Sequence, residues 1–147
     1  MYIDRLSRPA WLPLAAALIF AVSAFGSYSG IAAAADIKVT LAGDQEVPPV
    51  KSAGTGAGII TVGTDKSVAG SVTTTGIAGT AAHIHEAGAG MNGPVIIPFT
   101  KSGDTYAVPA GAKLTDAQFA SFQAGNLYVN VHTAANPGGE LRGQLKP

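Results

Sequence analysis

The chain has 147 residues, nine Lys+Arg against nine Asp+Glu, three histidines and no cysteine. Without a basic surplus there is nothing to neutralise a run of phosphates, which argues against nucleic acid as a partner. Without cysteine, neither a disulfide nor a lipid-modified N-terminal thiol can hold or anchor the protein, so its core must stabilise it.

The N-terminus carries the order of parts of a secretory signal. Arg5 and Arg8 form a weakly basic start, Trp11 to Phe25 is apolar and uncharged, and Ala32-Ala33-Ala34-Ala35 supplies small residues for cleavage. The stretch Trp11 to Ala35 is also long enough to span a bilayer. Gly26, Ser27, Ser29 and Gly30 interrupt it, and with the alanine cluster they favour cleavage after Ala35. Residues 1–35 are therefore read as a cleaved signal peptide and residues 36–147 as one domain. Cleavage removes Arg5, Arg8 and Asp4, leaving seven bases against eight acids. The expected location is periplasmic or extracellular, with no membrane association after cleavage and with scope for a protein partner there.

The rest reads as short strands between Gly and Pro punctuation. Ile37 to Leu41 alternates apolar and polar residues, the period of a half-buried strand. Val47-Pro48-Pro49-Val50 lacks two N–H donors and belongs at an edge or crossover. Gly56 to Thr64 and Ser67 to Thr75 form a hairpin around Thr64-Asp65-Lys66, and Thr80 to Glu86, Pro94 to Lys101 and Thr105 to Val108 are three further strands. Thr115, Gln118 and Gly125 bracket one short helix near 115–124 with a capping box and a C-terminal stop. Leu127 to Thr133 and Glu140 to Lys146 make a last hairpin around Asn136-Pro137-Gly138-Gly139. The sum is all-β: an antiparallel Greek-key sandwich of about eight strands with that single helix.

All three histidines fall in strands. His83 and His85, two apart, project from one face about 7 Å from each other. On 127–133, Leu127, Val129, Val131 and Thr133 take one face, and Tyr128, Asn130 and His132 the other. If the Leu/Val set is core, His132 can join His83 and His85 on a polar outer face, where three imidazoles suit copper or zinc. The pair can equally be hydrogen-bonded residues beside a loop. Glu86 points away from His85 by alternation. Gly88-Ala89-Gly90-Met91-Asn92-Gly93 has the spacing of a dinucleotide fingerprint, but strand residues follow it where a helix N-terminus is needed. Those glycines read as a loop with positive φ. Glu140 and Arg142 are expected either to tie the last strand to the loop after His132, by a salt bridge or paired hydrogen bonds, or to let Glu140 fix a histidine tautomer. No nucleophile elbow or close acid pair points to a hydrolase.

The blocks Leu41 to Val50, His83-Ile84-His85 with Gly93-Pro94-Val95-Ile96, and Tyr128 to Thr133 followed by Asn136 to Leu145 resemble the CHRD domain, named for its repeats in chordin. The resemblance spans Ile37 to Leu145 and implies an exported binding or structural module. His-x-His and a later Val-x-Val-His strand also resemble copper/zinc superoxide dismutase. That resemblance implies copper ligation by His83, His85 and His132, and a copper-dependent redox enzyme as the second functional reading. This chain lacks the bridging histidine, the zinc-loop histidines and the disulfide of that family.

Overall fold

The computed structural model describes residues 34–147, so the expected signal peptide lies outside the described residues except for Ala34 and Ala35. The elements are β1 (Ala35–Leu41), a 3-10 turn (Gly43–Gln45), β2 (Thr55–Val62), β3 (Val68–Thr75), β4 (Gly79–Glu86), β5 (Val95–Pro98), β6 (Thr100–Ser102), β7 (Thr105–Ala107), α1 (Asp116–Gln123), β8 (Leu127–Thr133) and β9 (Leu141–Leu145). Two antiparallel sheets result, one in the order β1-β2-β3-β7-β6 and the other β5-β4-β8-β9. The connections β3–β4 and β7–β8 pass from one sheet to the other, which places β8 beside β4 in Greek-key fashion.

Alternation builds the core. In β1, Ile37, Val39 and Leu41 are buried while Lys38 and Thr40 are exposed. Ile60, Val72, Ile84, Val129, Val131 and Leu141 meet them between the sheets, each at most 1% exposed. Burying such a side chain stabilises the fold by about 1.5–3 kcal/mol. At one side the sheets are stitched by reciprocal bonds: Ala42 N–H donates to the Arg142 carbonyl (3.0 Å) and Arg142 N–H to the Ala42 carbonyl (3.1 Å). Gly143 permits this approach, since a Cβ there would run into the Thr40 carbonyl.

The described residues form nine strands because the run Pro94 to Lys101 divides. β5 pairs with β4, whereas β6 pairs with β7 in the opposite sheet. Pro98 has no N–H to extend the ladder, and Phe99 N–H makes the last bond to β4, to the Ala82 carbonyl (2.9 Å). Val47 to Val50 joins neither sheet and runs in the connection from β1 to β2, as its two prolines require. The helix keeps both capping-box bonds, Gln118 N–H to Thr115 Oγ1 and Thr115 N–H to Gln118 Oε1, and seats Phe122 in the core. Among the described residues, no helix is long and apolar enough to cross a membrane.

Candidate metal centre

The outer face of the four-stranded sheet carries His83 and His85 from β4, Tyr128, Asn130 and His132 from β8, and Arg142 from β9. Antiparallel register sets Asn130 opposite His83, Tyr128 opposite His85 and His132 opposite Ala81. His83 and His132 are therefore diagonal neighbours, their ring centroids 4.8 Å apart, with 5.6 Å between His83 and His85 and 6.1 Å between His85 and His132. The three offer ligand atoms that all lie within 4.8 Å of one another, an arrangement that can hold a metal ion.

Backbone carbonyls orient two of the rings. His85 Nδ1 lies 2.9 Å from the Gly93 carbonyl and His132 Nδ1 2.9 Å from the Pro137 carbonyl. A carbonyl only accepts, so both histidines carry their proton on Nδ1 and present an Nε2 lone pair. His83 Nδ1 is 3.0 Å from His132 Nε2 and donates to it in the metal-free protein. Two ligand nitrogens on a tetrahedral ion sit roughly 3.3 Å apart, given metal–nitrogen bonds of 2.0–2.1 Å. His85 Nε2 is buried and has no hydrogen-bond partner. A buried acceptor left unmade costs about 1–3 kcal/mol, and a cation beside it would remove that cost.

Burial holds His83 below the ordinary imidazole value, reinforced by His132 and His85. His85 is lowered too, first by burial, partly offset by the Gly93 carbonyl, and further by His132 and Arg142. Both are thus neutral at pH 7, the form in which imidazole binds metal. Gly93 must be glycine because a Cβ would run into the Glu86 carbonyl. Positive φ in this loop falls on Gly90 rather than on Gly93. No helix follows the Gly-x-Gly-x-x-Gly spacing; β5 does.

Beside the histidines on the same sheet face lies a buried polar cluster. The Arg142 guanidinium sits 3.5 Å over the Tyr128 ring, which stacks on His85 at 4.8 Å and 10°. Arg142 donates to the carbonyls of Met91 (2.8 Å) and Gly88 (3.0 Å) and to Asn92 Oδ1 and Gln144 Oε1. Asn130 Nδ2 donates to Glu46 Oε1 at 2.6 Å. Burial pushes the Glu46 carboxyl up to about 7, against the opposing pull of Arg142 and the Val47 N–H. The face read from the sequence as polar and outer is thus roofed by the connections around Glu46, Gly88–Gly93 and Asn136–Gly139. Tyr128, Asn130 and Arg142 are each at most 2% exposed.

The Glu140–Arg142 salt bridge does not form. Glu140 accepts from Ser52 Oγ (2.7 Å), Thr133 Oγ1 (2.6 Å) and Asn136 Nδ2 (3.1 Å), the paired bonds that fasten it to the loop after His132. Nor does Glu140 fix a histidine tautomer, because the Gly93 and Pro137 carbonyls already take the Nδ1 protons. Glu86, turned from His85 as alternation requires, accepts from Ser121 Oγ on α1 (2.6 Å). No local pattern in the sequence marks Glu46, Tyr128 and Arg142 together as neighbours of the histidines. Tyr128 alone carried a signal, its place on the same strand face as His132.

A Greek-key sandwich with an imidazole cluster on one roofed face defines a small all-β domain of binding or structural type. Residues 37–145 match the CHRD domain, and the chain belongs to that family. No curated protein and no solved structure matches the chain.

Proposed function

We propose that this protein is an exported CHRD-domain module that holds one copper or zinc ion through His83, His85 and His132. The buried, unpartnered Nε2 of His85, facing two other imidazoles, carries the reading. His83 would contribute Nδ1, the proton moving to its other ring nitrogen, and His85 and His132 would contribute Nε2. The Gly93 and Pro137 carbonyls set the two ring orientations, as groups behind a ligand do. A bound ion would supply a localised positive charge at the sheet surface, able to take a further small ligand. Export is supported by Arg5, Arg8, the apolar run Trp11 to Phe25 and the alanines before Asp36.

Metal analysis and titration of the untagged protein test the site. One equivalent of Cu(II) or Zn(II) is expected, with at least about a hundredfold weaker binding in His85→Ala and in His132→Ala. Affinity unchanged in both variants would refute the assignment. The N-terminal sequence of the secreted protein tests export: it should begin at or near Asp36, and full-length chain retained in the cell would contradict the signal.

A further inference from the structure

We infer that Arg142 makes the three-histidine centre favour monovalent copper over divalent zinc. This inference rests on the metal-holding reading above and concerns which ion is held. Imidazole nitrogen by itself accepts several first-row ions, so donor type leaves the choice open. Three neutral imidazoles add no charge, and the charge of a loaded site is then that of its ion. What surrounds the site decides how costly each unit of that charge is.

Arg142 is a permanent cation, 1% exposed, with its guanidinium stacked on Tyr128 and Tyr128 stacked on His85. Its four hydrogen-bond acceptors, the Gly88 and Met91 carbonyls, Asn92 Oδ1 and Gln144 Oε1, are all neutral. The ion pairs among the described residues, Lys66–Asp116 and Lys113–Asp65, lie elsewhere. The carboxylate that bears on Arg142 is Glu46, itself buried and disposed to hold its proton near neutral pH. A poorly screened positive charge therefore backs the ligand His85. The 3.5 Å and 4.8 Å spacings of the stack, with the reach from the His85 ring to a bound ion, put an ion on His85 Nε2 on the order of 10 Å from the guanidinium. One extra unit of ionic charge at that distance, with an effective dielectric near 20, weakens binding about tenfold. Zinc carries that extra unit and monovalent copper does not.

Arg142 also pins the Gly88–Gly93 loop, so the readout must separate charge from support. Chelator competition gives the affinities of the full-length-expressed protein for Cu(I) and for Zn(II), and their ratio is the measured quantity. A purely supporting role weakens both ions alike and leaves the ratio fixed. Arg142→Gln is expected to shift the ratio toward zinc about tenfold, while Arg142→Lys, which keeps the charge, holds it within about threefold. Glu46→Gln, measured at pH 8, removes the one compensating negative charge and should move the ratio toward copper. If Arg142→Gln does not fold, Glu46→Gln decides alone. A ratio unmoved in these variants overturns the inference and leaves the metal site standing. Wild-type protein that binds neither ion overturns both.

Discussion

The outer faces of the two sheets follow the same alternation and end in opposite environments. On the five-stranded sheet Lys38, Thr40, Thr55, Thr73, Thr75 and Ile59 stand in solvent, with hydroxyls bridged from strand to strand, Thr55 to Thr75 at 3.1 Å and Thr73 to Thr105 at 3.0 Å. On the four-stranded sheet the corresponding positions hold Tyr128, Asn130, Arg142 and His85, and all are buried. Strand period decides which face a side chain takes. Only the connecting segments decide whether that face meets water, and here three of them cross one sheet and none described crosses the other. The same polar group consequently matters little on the open face and much on the roofed one, where an unmade bond has no water to replace it.

The widest contrast should come from the two cations that lie over tyrosines. Lys101 Nζ is 5.9 Å from the Tyr106 ring centroid and exposed, whereas Arg142 is 3.5 Å from Tyr128 and buried. Arg142→Ala strands the Gly88 and Met91 carbonyls and opens the stack under His85. It should cost on the order of 3 kcal/mol in denaturant unfolding, the sum of two buried carbonyls left unpaired. Lys101→Ala should stay within about 0.5 kcal/mol. Equal losses would mean that the roof over the four-stranded sheet does not exclude water.

Glu46 sharpens the comparison through pH. Its folded-state value, raised from 4.5 to about 7, means that the folded protein binds a proton which the unfolded chain has released over that interval. Stability from this group is complete below 4.5 and falls as pH rises through 7. His83 and His85, lowered in the fold, act in the opposite sense and lose stability as pH falls below the ordinary imidazole value. The difference between wild type and Glu46→Gln isolates the carboxyl. The variant should gain on the order of 2 kcal/mol relative to wild type between pH 5 and pH 8. Parallel stability curves would mean that Glu46 is solvated. Asn130 suits either state of the group, since its Nδ2 serves the carboxylate and its Oδ1 has no partner of its own.

How much of this was legible in the sequence follows from the range of each interaction. Ile37 to Leu41, the Thr115–Gln118 cap and the common face of His83 and His85 are local patterns, and period or spacing reveals them, whereas the place of His132 beside that pair depends on β8 pairing with β4. The break at Phe99 depends on which sheet each half of 94–101 can join, a tertiary choice that the apolar run does not encode. Arg142 meets Gly88 and Met91 some fifty positions away through their carbonyls. A backbone carbonyl has no side-chain identity, so such a contact leaves no mark in the sequence. The Nδ1 partners of His85 and His132, the Gly93 and Pro137 carbonyls, are hidden for the same reason, and the sequence offers a carboxylate, Glu140, in their place because only side chains can be read. The burial of Glu46 depends on a loop fold that Pro48 and Pro49 constrain without specifying.

The finest discrimination comes from one residue type in two environments, Thr73 on the open outer face of β3 and Thr133 at the end of β8 on the side of Val129 and Val131. Thr73 and Thr133 each use a hydroxyl in a hydrogen bond, to Thr105 in the first case and to Glu140 Oε2 in the second. Thr133 is 6% exposed and also accepts the Asn136 N–H at 3.0 Å. Valine preserves shape and strand preference at either position and removes only the hydroxyl. Thr133→Val should cost about 1 kcal/mol, because two hydrogen bonds of a buried hydroxyl, to Glu140 and from the Asn136 N–H, are lost together. Thr73→Val should be neutral within about 0.5 kcal/mol. The Thr133 loss should also depend on pH. Hydrogen bonds from Ser52 and then Thr133 hold the Glu140 carboxyl below its ordinary value, so they stabilise the fold above 4.5 and cease to do so as the group protonates in acid. The deficit of Thr133→Val is therefore largest at neutral pH and shrinks as pH drops below 4.5. A deficit constant across that range would place the cost in the Asn136 N–H alone and take Glu140 out of the tie between β8 and β9.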